Sequence, residues 1–167
     1  MVLQGEPAWP NPGEQAIDLP DSYDAGVYFI GRIGAPWPTR ADCPRNGAAM
    51  DALCTIEVAE RFAGGLADIE TATHLIVLYW IDEAARDLMV QRPRHWDATR
   101  GTFSVRSPAR PNPISLSVVE LVSVNGRMLA VRGLDCRDGT PLLDLKPYYA
   151  STDCRPEARV ERRSAEG

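Results

Sequence analysis

The chain has a single lysine, Lys146, beside 17 arginines, and its 167 residues include only two histidines, His74 and His95. Neither histidine stands at metal-ligand spacing from the other or from a cysteine. Cys43, Cys54, Cys136 and Cys154 include no C-x-x-C pair, so no metal site is expected and the thiols read as reduced, mostly buried side chains. No apolar run approaches the ~20 residues of a membrane span, and Met1–Gly5 lacks the basic start of a secretory signal, so a cytoplasmic protein without membrane contact is expected. G-x-G-x-x-G, G-x-x-x-x-G-K-[ST], G-x-S-x-G and H-E-x-x-H are all missing. Their absence removes the dinucleotide-binding turn, the P-loop, the α/β-hydrolase nucleophile and the common zinc hydrolases.

What is present is ordinary in bulk and unusual in places. Hydrophobic content of 44% and charged content of 25% describe a globular domain with a real core. The net charge of −5 argues against a uniformly basic surface. Between Gln91 and Pro113, however, Arg92, Arg94, Arg100, Arg106 and Arg110 face one acid, Asp97. A local excess of that kind can meet a phosphate backbone.

Residues 1–22 hold four prolines and read as an irregular arm, 23–153 as the folded domain, and 154–167 as a charged tail. Gly26–Ile33, Leu53–Ala59, His74–Ile81, Gly101–Val105, Ile114–Val124, Met128–Leu134 and Thr140–Leu145 are strand candidates. His74–Ile81 is nearly continuously apolar, which predicts a central strand buried on both faces, with His74 a hydrogen-bonded core residue. Asn125-Gly126 between two β-branched runs predicts a hairpin with a type I′ turn. Glu60–Glu70 and Asp82–Val90 read as short helices or turns. The sum is a mainly β protein: one closed or nearly closed barrel of six or seven strands with short helices.

The stretch Arg106–Ser117 reads R-S-P-A-R-P-N-P-I-S-L-S. Pro108, Pro111 and Pro113 fix φ and remove amide donors, so a stiff loop carrying Arg106, Arg110 and Asn112 precedes the next strand. Rigid guanidinium groups suit recognition of an anion or a planar polar ligand. Pro44-Arg45-Asn46-Gly47 and Asp135–Pro141 are two further loops that combine constrained backbone with charged or amide side chains. Tyr79-Trp80 is most simply core. Trp96, next to His95, is a residue on which a base could stack.

These loops carry a resemblance. The proline loop and Asp138-Gly139-Thr140-Pro141-Leu142-Leu143-Asp144-Leu145-Lys146-Pro147-Tyr148 together resemble the TsaA-like (YaeB/TrmO) family. Ile30–Trp37 is similar to that family's I-G-x-I-x-S-P-[FWY], Cys43–Asn46 to its P-R-Q, and Thr73–Leu75 to its S-H-L; the likeness runs from about Phe29 to Asp153. The resemblance implies a β-barrel methyltransferase that uses S-adenosylmethionine to methylate threonylcarbamoyl-adenosine beside the tRNA anticodon. It also implies a homodimer with the cofactor near the subunit interface. By motif, the cofactor would meet Pro44, Arg45, Asn46, Gly47, Asp82, Glu83, Arg106, Leu116, Leu134, Asp135, Asp138, Gly139, Thr140 and Pro141. Arg94, Arg106, Arg110, Asn112 and Lys146 would meet the tRNA, and Asp135 or Asp138 would be the base. Asn46 stands where the family has glutamine, Ala35 serine, Ala109 an aromatic, Ser115 glycine, and Asp82 commonly histidine. A non-catalytic S-adenosylmethionine- or nucleotide-binding regulatory module is the alternative reading.

Overall fold

The computed structural model describes residues 10–47, 50–93 and 98–160. Arg94, His95 and Trp96, the first nine residues of the arm and the end of the tail lie outside the described residues. The chain divides into two compact units, one of 25–82 with 114–156, the other of 1–24, 83–113 and 157–167. In chain order the strands are β1 Gln15–Ala16, β2 Gly31–Gly34, β3 Leu53–Val58, β4 His74–Trp80, β5 Leu88–Gln91, β6 Arg100–Gly101, β7 Ile114–Asn125, β8 Met128–Arg132 and β9 Thr140–Pro147.

The larger unit is a closed antiparallel barrel in which β2, β3, β8, β7, β4 and β9 follow one another around the ring and β9 returns to β2. Strand β3 alternates buried and exposed residues, placing Cys54, Ile56 and Val58 inside. Its register sets Ile56 beside both Ile33 and Leu129. Ile33, Ile56, Leu75, Val77, Leu129, Val131, Leu134 and Leu142 are fully buried and fill the interior. Each such side chain contributes roughly 1.5–3 kcal/mol of apolar burial, and closure leaves the ring no edge strand.

Several expectations change here. In β4 only Leu75, Val77 and Tyr79 are buried; Ile76, Leu78 and Trp80 are half-buried and His74 is exposed, its Nδ1 3.1 Å from Thr73 Oγ1. A barrel wall has one inward face, so an apolar run need not be covered twice. The hairpin joining β7 to β8 pairs Asn125 with Met128, and Gly126 alone in the turn has positive φ (57°). That is the dihedral pattern of a turn with glycine first, type II′, in place of type I′. Strand β2 starts only at Gly31, leaving Val27, Tyr28 and Phe29 exposed before it. Glu60–Leu66 and Ile69–Thr71 are 3₁₀ turns, and Gly64 and Gly65 in the first disfavour a regular α-helix there. Cys54 and Cys136 are buried, Cys43 half-buried and Cys154 exposed, all four as free thiols.

The smaller unit holds a three-stranded sheet in the order β1-β5-β6. Leu88–Gln91 is a strand where a helical turn was expected, and 100–105 is a two-residue strand followed by a 3₁₀ turn over Thr102–Ser104. The Glu14 carboxylate accepts from the amide of Asn11 at 2.9 Å and from the amide of Arg92 at 2.9 Å, pinning the arm to the end of β5. Arg86 lies over the Tyr23 ring at 4.9 Å and donates to the Pro111 carbonyl at 2.7 Å.

Candidate functional site

Within the barrel unit, Asp135–Pro141 forms the connection from β8 to β9 and is fastened to the start of the fold. The Asp138 and Gly139 amides donate to the carbonyls of Trp37 and Ile33, each at 2.8 Å. Asp138 Oδ1 accepts from the Ala35 amide at 3.0 Å, and Arg32 donates to the Gly139 carbonyl at 2.8 Å. The Thr140 hydroxyl donates to the Arg137 carbonyl at 2.7 Å. Asp138 is therefore employed in holding the loop that follows β2. A carboxylate bound to a backbone amide is a positional anchor.

Asp135 is placed differently. Its Oδ1 accepts from the Tyr79 hydroxyl at 2.7 Å, with the Ser117 hydroxyl 3.5 Å away. Tyr79 and Ser117 hydroxyls lie 2.9 Å apart. The inward phase of β4 carries Tyr79 and that of β7 carries Ser117, so two neighbouring strands converge on one carboxylate oxygen. Among the described residues, Oδ2 has no hydrogen bond. Burial, followed by the Asp135 charge, raises the Tyr79 pKa far above the ordinary tyrosine range. The hydroxyl accordingly stays protonated and serves as the donor. The same surroundings raise the thiols: burial, then Asp135, for Cys43, and burial, then Asp135 among the charges, for Cys136, pushed up to about 12.

The Pro44–Gly47 loop reaches this region by close backbone contact. A Cβ at Gly47 would lie 2.6 Å from the carbonyl carbons of both Gly133 and Leu134, so only glycine permits the approach. Arg45 and Asn46 are exposed beside it. Asp82, at the end of β4, pairs with Arg137 at 3.3 Å. Pro44, Gly47, Leu134, Asp135, Asp138, Gly139, Thr140 and Pro141 thus belong to interlocking loops of one unit. Leu116 lies on the outer face of β7, opposite in phase to Ser117, beside Leu78 of β4. Lys146 pairs with Asp144 in the open, an interaction worth little.

Glu83, Arg106, Arg110 and Asn112 belong to the smaller unit. Arg110 donates through Nε to the Ser107 carbonyl at 3.0 Å and through Nη2 to those of Val105 and Thr102, at 2.6 and 3.2 Å. Its guanidinium is built into the proline loop and stiffens it. Buried Gln91 donates to the Thr102 hydroxyl and the Ala109 carbonyl, while Thr102 donates to the Leu88 carbonyl at 2.6 Å. Glu83, Arg106 and Asn112 are exposed.

Tyr79, Ser117, Arg137, Gln91 and Thr102 escaped the sequence reading as working residues. Tyr79 had one signal, a polar tip ending an apolar strand. Ser117 had another, a hydroxyl at an inward position of β7. No group of histidine, cysteine and carboxylate side chains that could hold a metal occurs among the described residues, and none of their helices is long and apolar enough to cross a membrane.

Residues 32–154 match the family described as tRNA-methyltransferase O N-terminal domain. A Rhizobium radiobacter protein named "Probable S-adenosyl-L-methionine-binding protein VirR" is 46% identical over 134 residues, covering 80% of this chain and 77% of its own. A mouse tRNA (adenine(37)-N6)-methyltransferase is 50% identical over 64 residues, 38% of this chain and 15% of its own. The crystal structure of TrmO from Pseudomonas aeruginosa superimposes with a TM-score of 0.67 at 30% identity, over 82% of this chain and 62% of that one. The chain thus spans about three fifths of that TrmO structure.

Proposed function

The chain belongs to the tRNA-methyltransferase O N-terminal domain family, and from that premise we propose that it is an S-adenosylmethionine-dependent methyltransferase acting on N6 of threonylcarbamoyl-adenosine in the tRNA anticodon loop. Bound S-adenosylmethionine supplies an electrophilic methyl group on a sulfonium centre. The donor set of the barrel loops suits that molecule. Asp135 offers a carboxylate oxygen toward cationic or hydroxyl groups, and Arg45 and Asn46 offer donors for a carboxylate. Gly47 lets the loop backbone sit against Gly133-Leu134.

The observation that carries the reading is the grip on Asp135. Tyr79, backed by Ser117, fixes Oδ1 and leaves Oδ2 without a bond among the described residues. An N6 that is conjugated to adenine and a carbamoyl group is a poor nucleophile until its proton leaves. Asp135 Oδ2 would take that proton, directly or through one water, as the methyl passes from the sulfonium sulfur to the nitrogen and the neutral thioether is left as the product. A carboxylate held on one side loses little freedom in doing so. Asp138, bound to the Ala35 amide, keeps the loop in position.

The outer wall of the barrel supports a homodimer. Ile114, Leu116 and Val118 are each about 40% exposed, at 42, 43 and 39%, beside half-buried Ile76, Leu78 and Trp80. A contiguous apolar face of this kind is rarely left in water. With Leu116 on that face, a cofactor near the subunit interface is the arrangement we adopt. A cytoplasmic location agrees with a tRNA substrate.

Calorimetric titration with S-adenosylmethionine, followed by transfer of labelled methyl to tRNA bearing threonylcarbamoyl-adenosine, tests the proposal. Binding and transfer by the wild type, with Asp135→Asn binding more weakly and not transferring even at saturating S-adenosylmethionine, are expected. Binding without transfer to any RNA would favour the regulatory-module reading, which the name of the VirR relative favours as well.

A further inference from the structure

The 3₁₀ turn Thr102–Ser104 presents Phe103 to solvent at 79% exposure while its neighbour Thr102 is 1% exposed. The turn is held from four sides. Gln91 donates to the Thr102 hydroxyl, which donates to Leu88; Arg110 caps the Thr102 carbonyl at 3.2 Å; and the Ser104 hydroxyl donates to Gly101 at 2.8 Å. A protein gains nothing in stability from anchoring a turn so firmly in order to expose an aromatic ring. Of the other exposed rings, Tyr23 carries Arg86 over its face and Phe29 lies 6.4 Å from Trp80, whereas Tyr28 and Tyr149, 81 and 62% exposed, have no ring contact among the described residues. Phe103 has no such ring contact among the described residues. The sequence segment that carries it is one-sided in charge after Asp97. Ala98–Pro113 contains Arg100, Arg106 and Arg110 and no acid, and Arg106 is exposed.

We propose that Phe103 is a stacking platform for an unpaired nucleobase of the RNA substrate, with Arg100 and Arg106 supplying the positive potential for the adjoining phosphates. This rests on the RNA-substrate reading above. Stacking on an aromatic face tolerates any base, and it costs least entropy where the backbone that bears the ring is already fixed. A phenylalanine with two side-chain torsions on an anchored turn meets that condition. Single-stranded loop bases are the partners available to such a ring, because bases in an A-form duplex are already stacked.

The test is fluorescence-anisotropy binding of a short RNA hairpin with unpaired loop bases, and of a fully paired duplex, to the wild type and to Phe103→Ala, Phe103→Leu and Phe103→Trp. Hairpin affinity should fall about tenfold or more in the alanine and leucine variants and be retained in the tryptophan variant. Duplex affinity should be unchanged, as should the dependence of hairpin affinity on salt, because no phosphate contact is lost; Arg106→Ala should lower that dependence by about one unit. Thermal melting and sedimentation of each variant accompany the assay. Wild type that binds neither RNA overturns the RNA-substrate reading and this inference with it. Wild-type binding that Phe103→Ala leaves intact overturns this inference alone. A Phe103→Ala protein that dissociates into smaller species assigns the ring to a second copy of the chain, and also overturns it.

Discussion

Replacing Tyr79 by phenylalanine removes one hydroxyl and leaves the ring among its barrel neighbours. The lost group donates to Asp135 Oδ1 at 2.7 Å and lies 2.9 Å from Ser117 Oγ. A hydrogen bond to a charged acceptor contributes about 1.5–3 kcal/mol. Ser117, 3.5 Å from the same oxygen, can close part of the gap, so a net loss of about 1–2 kcal/mol is expected. For a chain of this size that lowers Tm by about 3–6 °C near neutral pH. The pH dependence gives a sharper readout. The folded state raises the Tyr79 pKa from its ordinary value of 10.0, first by burial and then by the Asp135 charge. A raised folded-state pKa stabilises fully below the unfolded value and is lost as pH rises past it, because the unfolded tyrosine then releases a proton the folded one keeps. Phenylalanine has no such proton, so the wild-type advantage should shrink as pH climbs above 10. Cys54, raised to about 11 by burial, and Cys136, raised to about 12, titrate in the same window but occur in both proteins and cancel in the difference. Differential scanning calorimetry of both proteins across neutral to alkaline pH measures this. Equal Tm at neutral pH, or a gap that stays constant through the alkaline range, would refute the geometry of the cluster.

Three further expectations follow from the loops. Gly47→Ala drives a methyl group into the Gly133-Leu134 backbone; it should lower Tm and weaken S-adenosylmethionine binding in calorimetry, and an unchanged titration would sink the loop contact. Asp138→Ala deletes the acceptor of the Ala35 amide, which should cost about 1 kcal/mol in denaturant melts, whereas a loss of methyl transfer at wild-type stability would reassign Asp138 to chemistry. Arg110→Lys replaces a fork serving three carbonyls with one ammonium group. It should speed amide hydrogen exchange across 102–110 while barely moving exchange in the barrel; slow exchange retained throughout 102–110 would contradict its structural role.

The amino-acid sequence by itself determined the barrel and its loops. Alternation in Leu53–Val58, the β-branched runs on either side of Asn125-Gly126 and the Asp138-Gly139 turn are local patterns, and period-two burial reads directly into an antiparallel wall. The proline loop was legible as a stiff segment for the same reason: proline fixes φ wherever it stands. The tertiary structure alone decided which polar groups meet. Arg110 looked like a ligand clamp in one dimension, yet its guanidinium turns onto the carbonyls of its own loop. Asp135 and Asp138 were equivalent acids in the sequence, and they part company because one lies opposite Tyr79 and Ser117 and the other beneath the Ala35 amide. His74 reads as core when its strand is taken alone, but a closed barrel has an outer face, and the register of β4 places His74 on it. Tyr79 and Asp135 are separated by 56 positions, and no periodicity carries across that distance. Their pairing depends on the order in which the strands close the ring, which is a property of the whole barrel and not of any segment in it.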